Sequence, residues 1–175
     1  MLLLWENLST FIGMDFIQQL QLWERGELLQ GKIMIGIGIL FLIGFIAIFR
    51  SQNEFLRGSL IPLGLFLLIF IGYGGYILYS RPAHVKDIVA LYEQSKEEAI
   101  TKEIEKHTSD NKVGKTLIKY VYPILIILSA LGLLFISSPY YKGMLVGFML
   151  LFLATYTIDS GFVSRSEAVL GFLTS

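Results

Sequence analysis

One carboxylate, Asp159, stands inside a stretch that is otherwise free of charge from Lys142 to Arg165. An ionisable side chain held in hydrocarbon is costly and by default marks an ion, proton or substrate pathway. Thr155, Tyr156, Thr157 and Ser160 make its surroundings in sequence polar, while Tyr73, Tyr76 and Tyr79 place phenols every three residues near the end of an earlier apolar run. Asp159, Thr155, Tyr156, Tyr73 and Tyr76 therefore form a candidate ion or polar site, provided the two helix ends face each other. A plainer expectation competes with it. Asp159 lies about 24 Å along a helix from Gly143, near the headgroups. Arg165 is close enough in sequence to pair with it, and the hydroxyls can serve as interhelical hydrogen-bond glue.

Other chemistry is thin. Glu103 and His107 share a helix face at i, i+4, a spacing a metal can use, but two ligands make no site and a solvated ion pair is the expectation. His84 and His107 bracket one helical stretch and are too far apart along it to share a metal. No cysteine is present, which removes thiol nucleophiles, disulfides and thiolate metal sites. Gly72-Tyr73-Gly74 resembles a potassium-filter tripeptide without its lead-in or re-entrant loop. Gly114-Lys115-Thr116 ends like a phosphate loop that lacks its first glycine. No catalytic residue, metal or cofactor is expected, and the chain reads as a non-enzyme.

The elements that carry these residues are apolar runs. No charge occurs between Lys32 and Arg50, Arg57 and Arg81, or Lys119 and Lys142. A bilayer core about 30 Å thick needs roughly 20 apolar residues in a helix. Spans are predicted at 33–49, 60–79, 120–136 and 143–162, continuous rather than alternating and so helical. With 54% hydrophobic and 16% charged residues, the fold class is an all-α integral membrane protein. Its expected form is a four-transmembrane-helix bundle of two hairpins. Gly143 and Gly147 form a GxxxG, and Gly72 and Gly75 a second small face, for close helix packing within or between protomers.

Basic residues orient the spans. Arg25, Lys32, the eight from Arg81 to Lys119, and Arg165 share one side, eleven of the fourteen, against Arg50, Arg57 and Lys142. The positive-inside rule puts both termini and the central segment in the cytoplasm. The expected location is the cell's inner (plasma) membrane, in a chain whose compact, Lys/Ile-rich style points to a bacterium. Met1–Trp5 is apolar without a basic flank, so a cleaved signal peptide is not expected.

Two amphipathic stretches complete the outline. Residues 1–30 carry a stripe of Trp5, Leu8, Ile12, Phe16, Leu20 and Trp23 and are expected to form an interfacial helix. The first hairpin takes residues 31–81. Residues 82–112 are expected to form a cytoplasmic amphipathic helix and a turn, with Pro82 in its first turn and a break at Thr108-Ser109-Asp110-Asn111. Its apolar residues Val85, Ile88, Tyr92 and Ile104 are a candidate partner surface. Residues 113–163 make the second hairpin, and 164–175 an interfacial or cytoplasmic tail. Arg57-Gly58 and Tyr79-Ser80-Arg81 align with Lys142-Gly143 and Val163-Ser164-Arg165, as a parallel duplication would. The expected function is a non-enzymatic membrane subunit or scaffold that associates with itself or another membrane protein. The alternative is a small oligomeric ion channel or transporter with its site around Asp159. Membrane lipids are expected partners. Zero net charge argues against nucleic acid.

Overall fold

The computed structural model describes the backbone of residues 2–174 and the side chains of residues 16–174. All regular structure among the described residues is helical: α1 Leu2–Phe49, the short α2 Glu54–Gly58, α3 Leu60–Gln94, α4 Lys96–Phe135 and α5 Pro139–Leu173. Four of these are long and apolar enough to cross a membrane, α1 through its Phe16–Phe49 part. The chain is a multi-pass helical membrane protein. Ile43, Leu68 and Leu134 point outward and are exposed, as lipid contact requires.

A 35-residue helix such as α3 or α5 is about 52 Å long, well beyond the hydrocarbon thickness of about 30 Å. The excess gathers at one end. There Phe16 of α1 stacks on Tyr92 of α3 with ring centroids 4.7 Å apart, and Leu20, Trp23, Val85, Ile88, Ala99 and Val169 bury around them. A second core of Met34, Phe66, Phe70, Ile77 and Leu151 fills the apolar half. α1 packs on α3, α4 on α5, and α2 with the start of α3 on α5.

This arrangement corrects several expectations. The N-terminal stretch is not a separate interfacial helix but the start of α1. Trp5, Leu8 and Ile12 lie outside the described side chains, while Phe16, Leu20 and Trp23 are buried in the bundle. Nor is there a single bracket helix: α3 runs straight through Pro82 to Gln94, and the chain turns back at Ser95. Ser95 is extended, and its Oγ accepts from the Glu98 amide at 3.4 Å. With Glu97 and Glu98 in the first turn, this is an N-terminal cap for α4. Thr108–Asn111 does not break α4, because Asn111 is buried inside the bundle and the helix supplies its backbone with partners. The tail simply continues α5, and Val169 is buried.

Glycines set the closest approaches. Gly143 faces the Phe55 carbonyl and Gly58 the Tyr140 carbonyl so tightly that no side chain fits at either. Gly147 lies under Pro62. The GxxxG is therefore spent within the chain, holding α5 to α2 and α3. Gly31 and Gly74 bring α1 and α3 together, where an added Cβ on either would stand 3.1 Å from the other's carbonyl oxygen. Gly72 and Gly75 have open space around them.

A buried polar site at one end of the bundle

Each of the four long helices contributes charge to the extended end. Glu27 of α1 is buried and accepts from Arg165 Nε of α5 at 2.9 Å, while Arg81 Nε of α3 stands 3.2 Å from its other oxygen. Arg165 Nη2 also donates to the Gln30 side chain, whose own amide donates to the Ile158 carbonyl at 2.9 Å. One carboxylate thus serves two guanidinium groups. These are the two arginines that close the aligned second and fourth spans.

Beside it, Glu103 of α4 is fully buried, with His84 Nε2 of α3 at 2.7 Å and His107 Nε2 at 3.5 Å. His84 and His107 do meet on one carboxylate, because the turn at Ser95 folds α3 back along α4. The pair at Glu103 and His107 is therefore no solvated ion pair. Glu103 lies on the polar extension, outside the membrane-crossing part of α4. Burial pushes its carboxyl up. The hydrogen bonds of His107 and His84, the charge His84 carries when protonated, and nearby Lys106 outweigh that and hold it down at about 2.

Trp23 of α1 touches basic partners of both carboxylates. Lys106 Nζ sits 4.3 Å from its ring centroid and Arg81 Cζ 5.2 Å, and the rings of His107 and His84 approach edge-on at 5.2 and 6.0 Å. A tryptophan face attracts cations through its quadrupole. It helps these four basic groups crowd the site around three carboxylates, Glu27 beside Arg81, Glu103 beside both histidines and Asp110 3.6 Å from Lys106.

A cavity of about 370 Å³ opens next to this network. Tyr73, Tyr76 and Asp159 line it together with Glu27, Arg81 and His107. Tyr73 and Tyr76 of α3 thus lie on the same cavity as Asp159 of α5, while Tyr79 points outward. Thr155 and Tyr156 are not part of it: Thr155 is buried with its hydroxyl on the Leu151 and Phe152 carbonyls, and Tyr156 turns outward. Arg165 is not the partner of Asp159, being held by Glu27 and Gln30. The Tyr122 hydroxyl donates to Asp159 instead, and no ion pair reaches Asp159 among the described residues. Two π-helical turns, Leu68–Tyr73 in α3 and Leu117–Val121 in α4, flank the cavity, and Tyr73 and Leu117 line it. Such turns often lie at functional sites.

The stripe read as a partner surface faces inward. Val85, Ile88 and Tyr92 are buried against α1, and Ile104 is half-buried.

Chemically, Ser166 Oγ, 2.7 Å from His107 Nδ1, follows Glu103 and His107 in a serine–histidine–carboxylate order. Acyl transfer also needs donors for an oxyanion. Ser166 lies deep within α5, where backbone N–H groups are committed to helical bonds, so no backbone oxyanion hole forms beside it. Among the described residues, no three or more His, Asp or Glu side chains converge to hold a metal. What the geometry offers is an ion-pair lock and a cavity with one carboxylate unmatched by a base. The chain matches no protein-family model, no curated protein and no solved structure.

Proposed function

We propose that this is a small, non-enzymatic membrane protein of the inner (plasma) membrane that binds a cation or proton at Asp159, as a transporter's cytoplasm-side site does. The observation that carries this reading is Asp159 itself. It lines a polar cavity, holds a phenol and has no basic partner, whereas Glu27 and Glu103 are matched with bases. An intramembrane carboxylate left unmatched is suited to a transient positive charge.

The polar end is cytoplasmic in this reading, by the eleven-to-three distribution of basic residues, and the four spans form two hairpins joined through the turn at Ser95. The apolar core of Met34, Phe66, Phe70, Ile77 and Leu151 lies on the far side of the cavity. An open pore through a single chain is therefore not the form proposed, and passage requires helix movement. The π-turns beside the cavity are natural places for it.

A second reading, a subunit or scaffold that associates with itself or another membrane protein, draws support from Gly72 and Gly75. Their open face would admit a neighbouring helix.

Purified protein in liposomes separates the two. Proton, sodium and potassium flux is measured for the wild type and Asp159→Asn, with folding checked by thermal unfolding. Flux that Asp159→Asn abolishes supports the ion reading. A folded protein silent to all three ions, running as a stable complex with itself or a co-purified membrane protein, overturns it in favour of the scaffold.

A further inference from the structure

A groove of about 860 Å³ runs along the outside of the bundle between α1 and α5, over α3. Its lining on α1 extends from Gly26 to Ile48, about 33 Å of helix and so the full hydrocarbon depth. Most of its walls are long aliphatic and aromatic side chains, among them Ile33, Ile37, Phe41, Leu63 and Leu150, with Ala154 and Thr157 the small residues on the α5 side besides Gly147. A docking transmembrane helix prefers small residues that admit its backbone. Of the glycines here, Gly26 is covered by Arg165 and Gly147 by Pro62, and only Gly44 is open. Flexible apolar walls suit acyl chains.

The polar end of the groove is formed by Gln30 and Arg165. Arg165 uses Nε on Glu27 and Nη2 on Gln30, while Nη1 has no hydrogen bond or ion pair among the described residues. Because Glu27 is shared by Arg81 and Arg165, this point carries one positive charge more than its carboxylate neutralises. It sits where the hydrocarbon gives way to headgroups. A guanidinium fork with free donors recognises phosphate.

We infer that the groove is a site for an anionic phospholipid of the leaflet on the polar side, its phosphate on Arg165 and an acyl chain along α1 and α5. The site depends on the membrane reading alone and not on ion binding at Asp159.

The test uses full-length protein in nanodiscs of equal phosphatidylglycerol and phosphatidylcholine. Lipid retained after transfer to mild detergent is quantified by native mass spectrometry. Phosphatidylglycerol is expected to be retained at least fivefold over phosphatidylcholine. Arg165→Gln is expected to bring that ratio near one. Since Arg165→Gln also disturbs Glu27, Leu150→Trp is the second variant. It fills the groove without touching a charge and is expected to lower total retained lipid while thermal unfolding stays unchanged. Equal retention of both lipids by the wild type overturns the inference. So does retention unaffected by Leu150→Trp, stabilisation by soluble glycerophosphoglycerol as strong as by the lipid, or a dimer crosslinked through cysteines placed at Ile37 and Leu150.

Discussion

Arg165 Nε donates to Glu27 Oε1 at 2.9 Å, tying the last helix of the bundle to the first across 138 positions of sequence. Arg81 reaches the same carboxylate from α3, so three helices meet on one buried side chain. Glu27→Gln keeps the shape but leaves two guanidinium groups with no carboxylate. Removing one partner of a buried pair costs about 3–5 kcal/mol. The expected result is a large drop in melting temperature in detergent. Arg81→Gln, which still leaves Arg165 on Glu27, is expected to cost less. Equal melting of Glu27→Gln and wild type would show that the pairing contributes nothing to the fold.

Acid should unlock the neighbouring carboxylate. The Glu103 side chain is held at about 2, against an ordinary value of 4.5. A depressed carboxyl stabilises the fold fully above its unfolded value, and that stabilisation disappears as pH falls through the folded one. The window is therefore from about pH 4.5 down to about 2, with up to about 3 kcal/mol at stake. Melting temperature measured across this range should fall steeply for the wild type. Glu103→Gln should be less stable at neutral pH and flatter in acid. Parallel acid profiles for the two proteins would assign the acid sensitivity to other groups.

Much of the fold was legible because insertion into a bilayer demands it. The charge-free runs mark all four spans, and the polar character of the span ends is visible in Tyr73, Tyr76 and Asp159, which line one cavity. What escaped was how far the helices continue. Glu24 to Lys32 reads as a membrane boundary, yet α1 passes through it because Glu27 turns inward to partners more than 50 positions away. The turn does carry a local signal: Ser95-Lys96-Glu97-Glu98 has the serine-to-glutamate spacing that starts helices. Recognising it folds α3 back on α4, brings His84 to Glu103 and buries the stripe of Val85, Ile88 and Tyr92. Tyr122, 37 positions before Asp159, carries no such local mark. Nor does Arg165's preference for Glu27 over Asp159, because both follow from how α5 packs rather than from its own sequence.

Two glycine substitutions should go in opposite directions. A methyl at Gly143 has no room against the Phe55 backbone, and backbone cannot swing aside as a side chain can. Gly143→Ala is expected to destabilise by about 1–3 kcal/mol, as overpacking does. Gly75 has open space, so Gly75→Ala should be neutral or gain up to about 1 kcal/mol of helix propensity. Thermal unfolding of the two variants side by side gives the sign. A Gly75→Ala protein that is destabilised, or loses an oligomeric form seen in the wild type, would show that a neighbouring helix covers this face.

Trp23 touches Arg81, the partner of Glu27, and both histidines that meet Glu103. Its ring faces Lys106 Nζ at 4.3 Å and Arg81 at 5.2 Å, so it combines core volume with attraction for cations. Trp23→Leu removes both and should cost about 3–5 kcal/mol, the range for losing a large buried aromatic to a small residue, at its lower end because leucine refills part of the space. Trp23→Phe keeps a ring with a weaker quadrupole and should cost less, the difference reflecting a cation–π contribution of about 1–2 kcal/mol. A double-mutant cycle with Lys106→Met isolates that contribution from packing. Coupling near zero would mean that Trp23 acts through volume alone, and that the basic groups around it are held by Glu27, Glu103 and Asp110.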